Sequence, residues 1–149
     1  MTGSLLDGLL GRFEGLPESE VPAPPEWLAG YLFALSNATL NGFLLSHGVT
    51  DYRITSGFRT SAKNESVGGA KNSAHVHGLA WDVVFKGPVP LDVVPDWKTS
   101  TGGYAENEGD HYHFNLPRAW GWRVIRWLFA LVALVLLLLL AFFYFEVLK

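Results

Sequence analysis

From Glu26 to His47, Trp27, Leu28, Tyr31, Leu32, Leu35, Leu40, Phe43 and Leu44 recur at spacings of three and four, which predicts an amphipathic helix. Pro25 suits its start and Gly48 its C-terminal cap. The period then changes to two. "DYRITSGF" (51–58) reads as a strand with Tyr52, Ile54 and Ser56 on one side, "LAWDVVF" (79–85) as a second strand and "DHYHFNL" (110–116) as a third. Leu5, Leu6, Leu9, Leu10 and Phe13 have helical spacing and predict a short helix over 3–16 that docks on the domain. A membrane-surface helix is the rival reading, but the stretch lacks the basic face such helices favour. The prolines of "LPESEVPAPPE" mark a linker, and "RTSAKNESVGGAKNSAH" is a polar, Gly-rich loop. One helix packed on a small antiparallel sheet gives an α+β domain.

The end of the chain follows another rule. From Trp127 to Phe145, 19 residues carry no charge, Pro or Gly. At about 1.5 Å per residue they span roughly 28 Å, close to a bilayer core. A chain of 149 residues could not surround such a helix on every side. The expected organisation is an N-terminal helix and Pro-rich linker (1–25), a folded domain (26–117), a juxtamembrane Trp/Arg segment (118–126) and a transmembrane helix (127–145). Trp120, Trp122 and Trp127 with Arg118, Arg123 and Arg126 read as an interfacial anchor belt, so a lipid bilayer is an expected partner. The N-terminus lacks the basic region of a signal peptide. Three arginines precede the apolar helix and only Lys149 follows it, so the domain is expected on the cytoplasmic side, or on the equivalent face of a virion membrane.

Net charge is −3, which offers no field for nucleic acid, and none is expected as a partner. Cysteine is absent, which excludes a disulfide framework and thiolate metal ligands. The Asn37-Ala-Thr sequon falls inside the predicted helix and is set aside.

Asp82 lies in the apolar run of the second strand, where a bare carboxylate is costly unless paired. Alternation puts Leu79, Trp81, Val83 and Phe85 on one face and Ala80, Asp82 and Val84 on the other. A turn at Gly78 brings His75 back towards Asp82. Four of the five histidines fall in two pairs, His75/His77 and His111/His113. On a strand His111 and His113 share a face, and Asp110 sits at the turn behind Gly109. Two imidazoles and one carboxylate suit zinc with a water in the remaining position. Paired surface histidines remain the alternative on spacing alone.

"SAHVHGLAWD" fits S-x-H-x-x-G-x-A-x-D, and "DHYH" fits the later [DE]-x-x-H. With "ITSGFRT" ahead of them, these motifs resemble the zinc D-Ala-D-Ala carboxypeptidase and L-alanyl-D-glutamate endopeptidase family, which includes many phage endolysins. The likeness covers about residues 26–117. It implies the small α+β fold shared with hedgehog domains, with His75, Asp82 and His113 as zinc ligands. It further implies Asp110 as general base and Arg59 as the group that binds a substrate carboxylate or polarises the scissile carbonyl. Ser73 lies near the substrate, and His111 takes a supporting or oxyanion role. His77 receives no role and reads as a loop or surface histidine, with support of the metal ligands from behind as the alternative.

The implied chemistry is metal-assisted hydrolysis of a peptide bond in peptidoglycan stems, by a D,D-carboxypeptidase or L,D-endopeptidase. The implied setting is phage lysis or wall opening during infection, at the host inner membrane or a virion membrane. A non-catalytic, zinc-containing binding module is the alternative.

Overall fold

The computed structural model describes residues 5–13 and 15–147. Residues 3, 4 and 14 of the predicted N-terminal helix, and Lys149, lie outside these. The elements are α1 (Leu5–Leu9), a 3-10 turn (Glu18–Glu20), α2 (Glu26–Ser46), β1 (Tyr52–Ser56), α3 (Ser61–Ser66), β2 (Ala80–Phe85), α4 (Val93–Thr101), β3 (Tyr104–Asn107), β4 (Tyr112–Asn115) and α5 (Arg118–Val147). The four strands form one antiparallel sheet in the order β1-β2-β4-β3. The fold is therefore the α+β arrangement expected, with a C-terminal apolar helix long enough to cross a membrane.

One face of the sheet is the core. Trp81, Val83 and Phe114 are fully buried there, with Leu40 and Leu44 of α2 and with Val93 and Trp97 of α4. Asn37 accepts a hydrogen bond from the Trp81 indole (2.6 Å), so the sequon asparagine satisfies a buried donor. Three elements go beyond the sequence pattern: α3, capped by the Thr60 side chain, and the pair α4 and β3.

A smaller cluster joins the two ends of the chain. Phe13, Val21, Leu28 and Leu32 bury Trp122 and Ile125 from the first turns of α5. Trp122 donates its indole N–H to the Pro22 carbonyl (3.0 Å), and Arg118 bonds Glu18 and the Asn72 carbonyl. The linker is thus a strap across the base of α5. This revises the reading of 118–126 as an anchor belt. Trp122 is core, Trp120 packs against the main cluster, and of the three tryptophans only Trp127 is broadly exposed. Residues 118–147 form one continuous helix.

Candidate metal centre

Strand register lines up a row of polar side chains. Directly opposed residues of antiparallel strands share a face, and the register pairs Ser56 with Asp82, Asp82 with His113, and His113 with Glu106. Ser56 joins the row through a bulge. Ile54 opposes Val83, yet Ser56, two residues on, opposes Asp82, one residue on. The extra residue rotates Ser56 off the face of Ile54, where simple alternation had put it.

Asp82 is the centre of the row. Its Oδ1 lies 2.9 Å from His113 Nδ1 and 3.2 Å from His75 Nε2, and its Oδ2 accepts from Arg59 Nη2 at 2.8 Å. Burial pushes the carboxyl pKa up. The hydrogen bonds and charges of His113 and His75 outweigh it and hold Asp82 well below the usual carboxylate range. The costly acid of the apolar strand is therefore ionised, held between the Arg59 guanidinium and two imidazoles.

His75 arrives on a tight turn. The Ser73 Oγ accepts from the His75 backbone N–H (3.3 Å), and Gly78 closes the turn at φ 71°. A side chain at Gly78 would collide with the Ala29 carbonyl, so both the left-handed conformation and the close approach require glycine. His75 Nδ1 lies 2.7 Å from the Gly57 carbonyl, which can only accept. The ring proton therefore sits on Nδ1, and a neutral His75 turns the lone pair of Nε2 towards the lone pairs of Asp82 Oδ1. Two lone pairs at 3.2 Å repel unless a cation, a proton or a metal, lies between them.

The ligand atoms of His75, Asp82 and His113 all lie within 4.8 Å of one another. Ligands at about 2.0–2.1 Å from a tetrahedral zinc are about 3.3 Å apart, so the observed separations fit such an ion with little movement. His75 and Asp82 are buried and His113 is half-buried, which leaves an approach on one side.

The other sequence candidates sit around this cluster. Arg59 grips Asp82 Oδ2 and, through Nε and Nη2, the Ser56 hydroxyl (2.9 and 2.6 Å). His111 Nε2 is 3.6 Å from Asp82 Oδ1 and 3.2 Å from Glu108 Oε2. Asp110 lies on the outer side of His111, with Oδ1 2.7 Å from Nδ1, and its side chain is 88% exposed. Asp110 is thus separated from the cluster by an imidazole ring. The sequence reading missed two acids on this side, Glu108, and Glu106, which opposes His113 and accepts from the Tyr104 hydroxyl.

His77 lies on a loop, as expected, but not at the surface. It is fully buried, with Nε2 2.9 Å from Asn72 Oδ1, because the turn that aims His75 at Asp82 directs His77 towards the strap. Burial, helped by the nearby Arg118 charge, pushes its pKa down to about 3, so it stays neutral. A second acid–histidine group, His47 with Asp92 and Asp96, stands apart. His47 Nε2 lies 3.2 Å from Asp96 Oδ2, and both acids are exposed. It reads as a surface ion pair, with His47 raised by the Phe43 carbonyl, against burial, and by the two acids.

No curated protein and no solved structure matches the chain. The sequence model of the peptidase M15 family, a family of zinc-dependent peptidases, does match, over residues 40–114, and this stretch holds His75, Asp82, His113, Arg59 and Asp110. With half of its length inside that match, the chain belongs to the peptidase M15 family.

Proposed function

We propose that the protein is a membrane-anchored zinc peptidase that hydrolyses peptide bonds in peptidoglycan stems, acting in phage lysis or in wall opening during infection. The anchor is α5, in the host inner membrane or a virion membrane. The observation that carries the catalytic reading is the convergence of His75 Nε2, Asp82 Oδ1 and His113 Nδ1 on one point beside an open rim. These three would hold the zinc. A bound zinc supplies a Lewis acid and lowers the pKa of a coordinated water towards neutrality.

The protein's own groups do the rest. Asp110 takes a proton from the attacking water and delivers it to the amide nitrogen as the C–N bond breaks, moving inward past His111 to do so. His111, on the cluster's rim, donates to the oxygen that gains charge. Arg59 holds Asp82 ionised and oriented. Its Nη1 makes no hydrogen bond among the described residues and is the edge that meets a substrate carboxylate or the scissile carbonyl. Ser73 acts at one remove, by fixing the turn that aims His75.

One observation favours the alternative, a membrane-anchored, zinc-containing binding module without catalysis: Asp110 is almost fully exposed and faces away from the ligands. Mass spectrometry of purified peptidoglycan incubated with the zinc-loaded, detergent-solubilised full chain separates the two. Release of a terminal D-alanine identifies a carboxypeptidase, and split stems identify an endopeptidase. An intact wall that retains the zinc-loaded protein supports the binding module and ends the catalytic reading.

A further inference from the structure

The N-terminal segment has a surface that the peptidase chemistry does not use. Leu5 and Leu9 of α1 pack against the strap cluster, while Leu6 and Leu10, one turn apart, are 62% and 59% exposed. Such a leucine pair in water needs a partner if the surface around it is also apolar. Its position on α5 identifies one.

Gly8 lies flat on the Trp122 ring, where a side chain would collide, and the Phe13 ring is 5.2 Å from the same indole. A small cleft between the two helices is lined by Gly8, Gly11, Ala119, Trp122, Arg123 and Arg126. So α1 is fixed against residues 119–126. The exposed apolar surface of α5 starts at Trp127 and continues to Phe145. Trp122 is five residues earlier, about 7.5 Å along the axis. A bilayer of about 30 Å hydrocarbon within about 40–45 Å leaves roughly 5–8 Å of interface on each side. With the hydrocarbon edge at Trp127, α1 lies at the depth of the lipid headgroups.

We propose that α1 and the turn after it form a second, non-spanning membrane contact, in which Leu6 and Leu10 seat in the interfacial layer of the same bilayer that α5 crosses. The inference rests on the reading of α5 as a membrane anchor. Arg12, which pairs with Asp7 of α1, and Arg123, which lines the cleft against α1, are exposed and suit anionic headgroups. Amphipathic segments of this kind sink about 5–10 Å into the headgroup boundary. The domain would then lie against the membrane in one pose, held by α5, the strap and α1, instead of tumbling on a single tether.

The chain contains no cysteine, so single-cysteine variants report single positions. Leu10→Cys, Leu134→Cys and Leu91→Cys in the full chain are labelled with an environment-sensitive fluorophore. They are reconstituted in phosphatidylcholine vesicles with a minor fraction of phosphatidylglycerol. Each is quenched by a lipid carrying a shallow nitroxide and, separately, by aqueous iodide. Leu91 is fully exposed and serves as the water reference, and Leu134 reports the span. The expected result is that the lipid quencher removes most of the emission at Leu10 while iodide removes little. Lipid quenching at Leu134 with iodide quenching at Leu10 equal to that at Leu91 overturns the proposal and keeps the anchor. Shielding of Leu10 from both quenchers overturns it in favour of a second copy on this face. Absence of lipid quenching at Leu134 shows that the anchor reading itself has failed, and the interfacial contact falls with it.

Discussion

Ending the chain at Pro117 tests where the folded unit stops. The apolar pattern places that boundary before Arg118, but Trp122 is 4% exposed and Ile125 is fully buried, both inside the cluster built by Phe13, Val21, Leu28 and Leu32. Removing a buried Trp side chain costs about 3–5 kcal/mol and a buried Ile about 2–5 kcal/mol. Neighbours do not add fully, so a loss of roughly 5–8 kcal/mol is expected. Total stability for a small domain is about 5–15 kcal/mol. A chain of residues 1–117 should therefore be unfolded or close to it, while 1–126, which keeps both residues and ends before Trp127, should unfold cooperatively. Trp122→Ala in the 1–126 chain should sit between, about 3–5 kcal/mol below it. Urea titration followed by far-UV circular dichroism reads all three. Midpoints for 1–117 and 1–126 that coincide would show that the strap cluster adds nothing to the fold.

Further predictions concern the site and one surface pair. His75→Ala, Asp82→Ala and His113→Ala should each lose zinc in elemental analysis, and chelation should abolish hydrolysis; full occupancy in any one removes that residue from the ligand set. Asp110→Asn should keep the metal and lower turnover by about 10² or more, whereas if Glu108→Gln gives that loss and Asp110→Asn does not, the base is Glu108. Arg59→Lys should lose about tenfold or more in turnover, since one charged hydrogen bond is worth about 1.5–3 kcal/mol and lysine lacks the fork that spans Ser56 and Asp82; unchanged turnover would mean that a point charge suffices. His47 has a raised pKa, chiefly from the Phe43 carbonyl, so its contribution is fully present below about pH 6.5 and lost as pH rises through the folded value. His47→Gln should thus destabilise more at pH 5.5 than at pH 8.5, and an equal effect at both would contradict the shift.

Local signals carried well where one residue type had one physical use. Asp82 was conspicuous because a carboxylate among Trp81, Val83 and Val84 needs donors, and alternation told which face it took. Gly78 marked the turn that returns His75 to that face. What was not legible depends on contacts between distant segments. The bulge that turns Ser56 towards Asp82 leaves no mark in "YRITS", since the residue that steps out of register is set by pairing with β2. Strand β3 is four residues, "YAEN", of which none is fully buried, so no periodicity announced it and Glu106 was not aligned with His113. His77 looked superficial beside His75. Its burial is decided by the strap, which reaches Asn72 from Ser19. Trp122 and Arg118 were assigned to the membrane surface by composition, and the same strap explains why they belong to the domain.

The strap also bears on what the enzyme can reach. β4 ends at Asn115 and α5 begins at Arg118, so His113 stands five residues before the helix. Five extended residues cover at most about 18 Å, and Arg118 to Trp127 adds about 14 Å of helix. On the membrane-anchored reading, the His75–Asp82–His113 cluster therefore stays within about 32 Å of the hydrocarbon edge. No flexible stalk lengthens that reach, because the strap fixes the first turns of α5 to the domain by Trp122, Ile125 and the Arg118–Glu18 pair. A substrate must come to the bilayer. On the proposed function, with the domain on the cytoplasmic side that the arginines ahead of the apolar helix predict, a cross-linked wall lies across the bilayer from the cluster. In that arrangement membrane rupture, and not a change within the site, would be the step that brings wall peptides to Asp82 and its histidines.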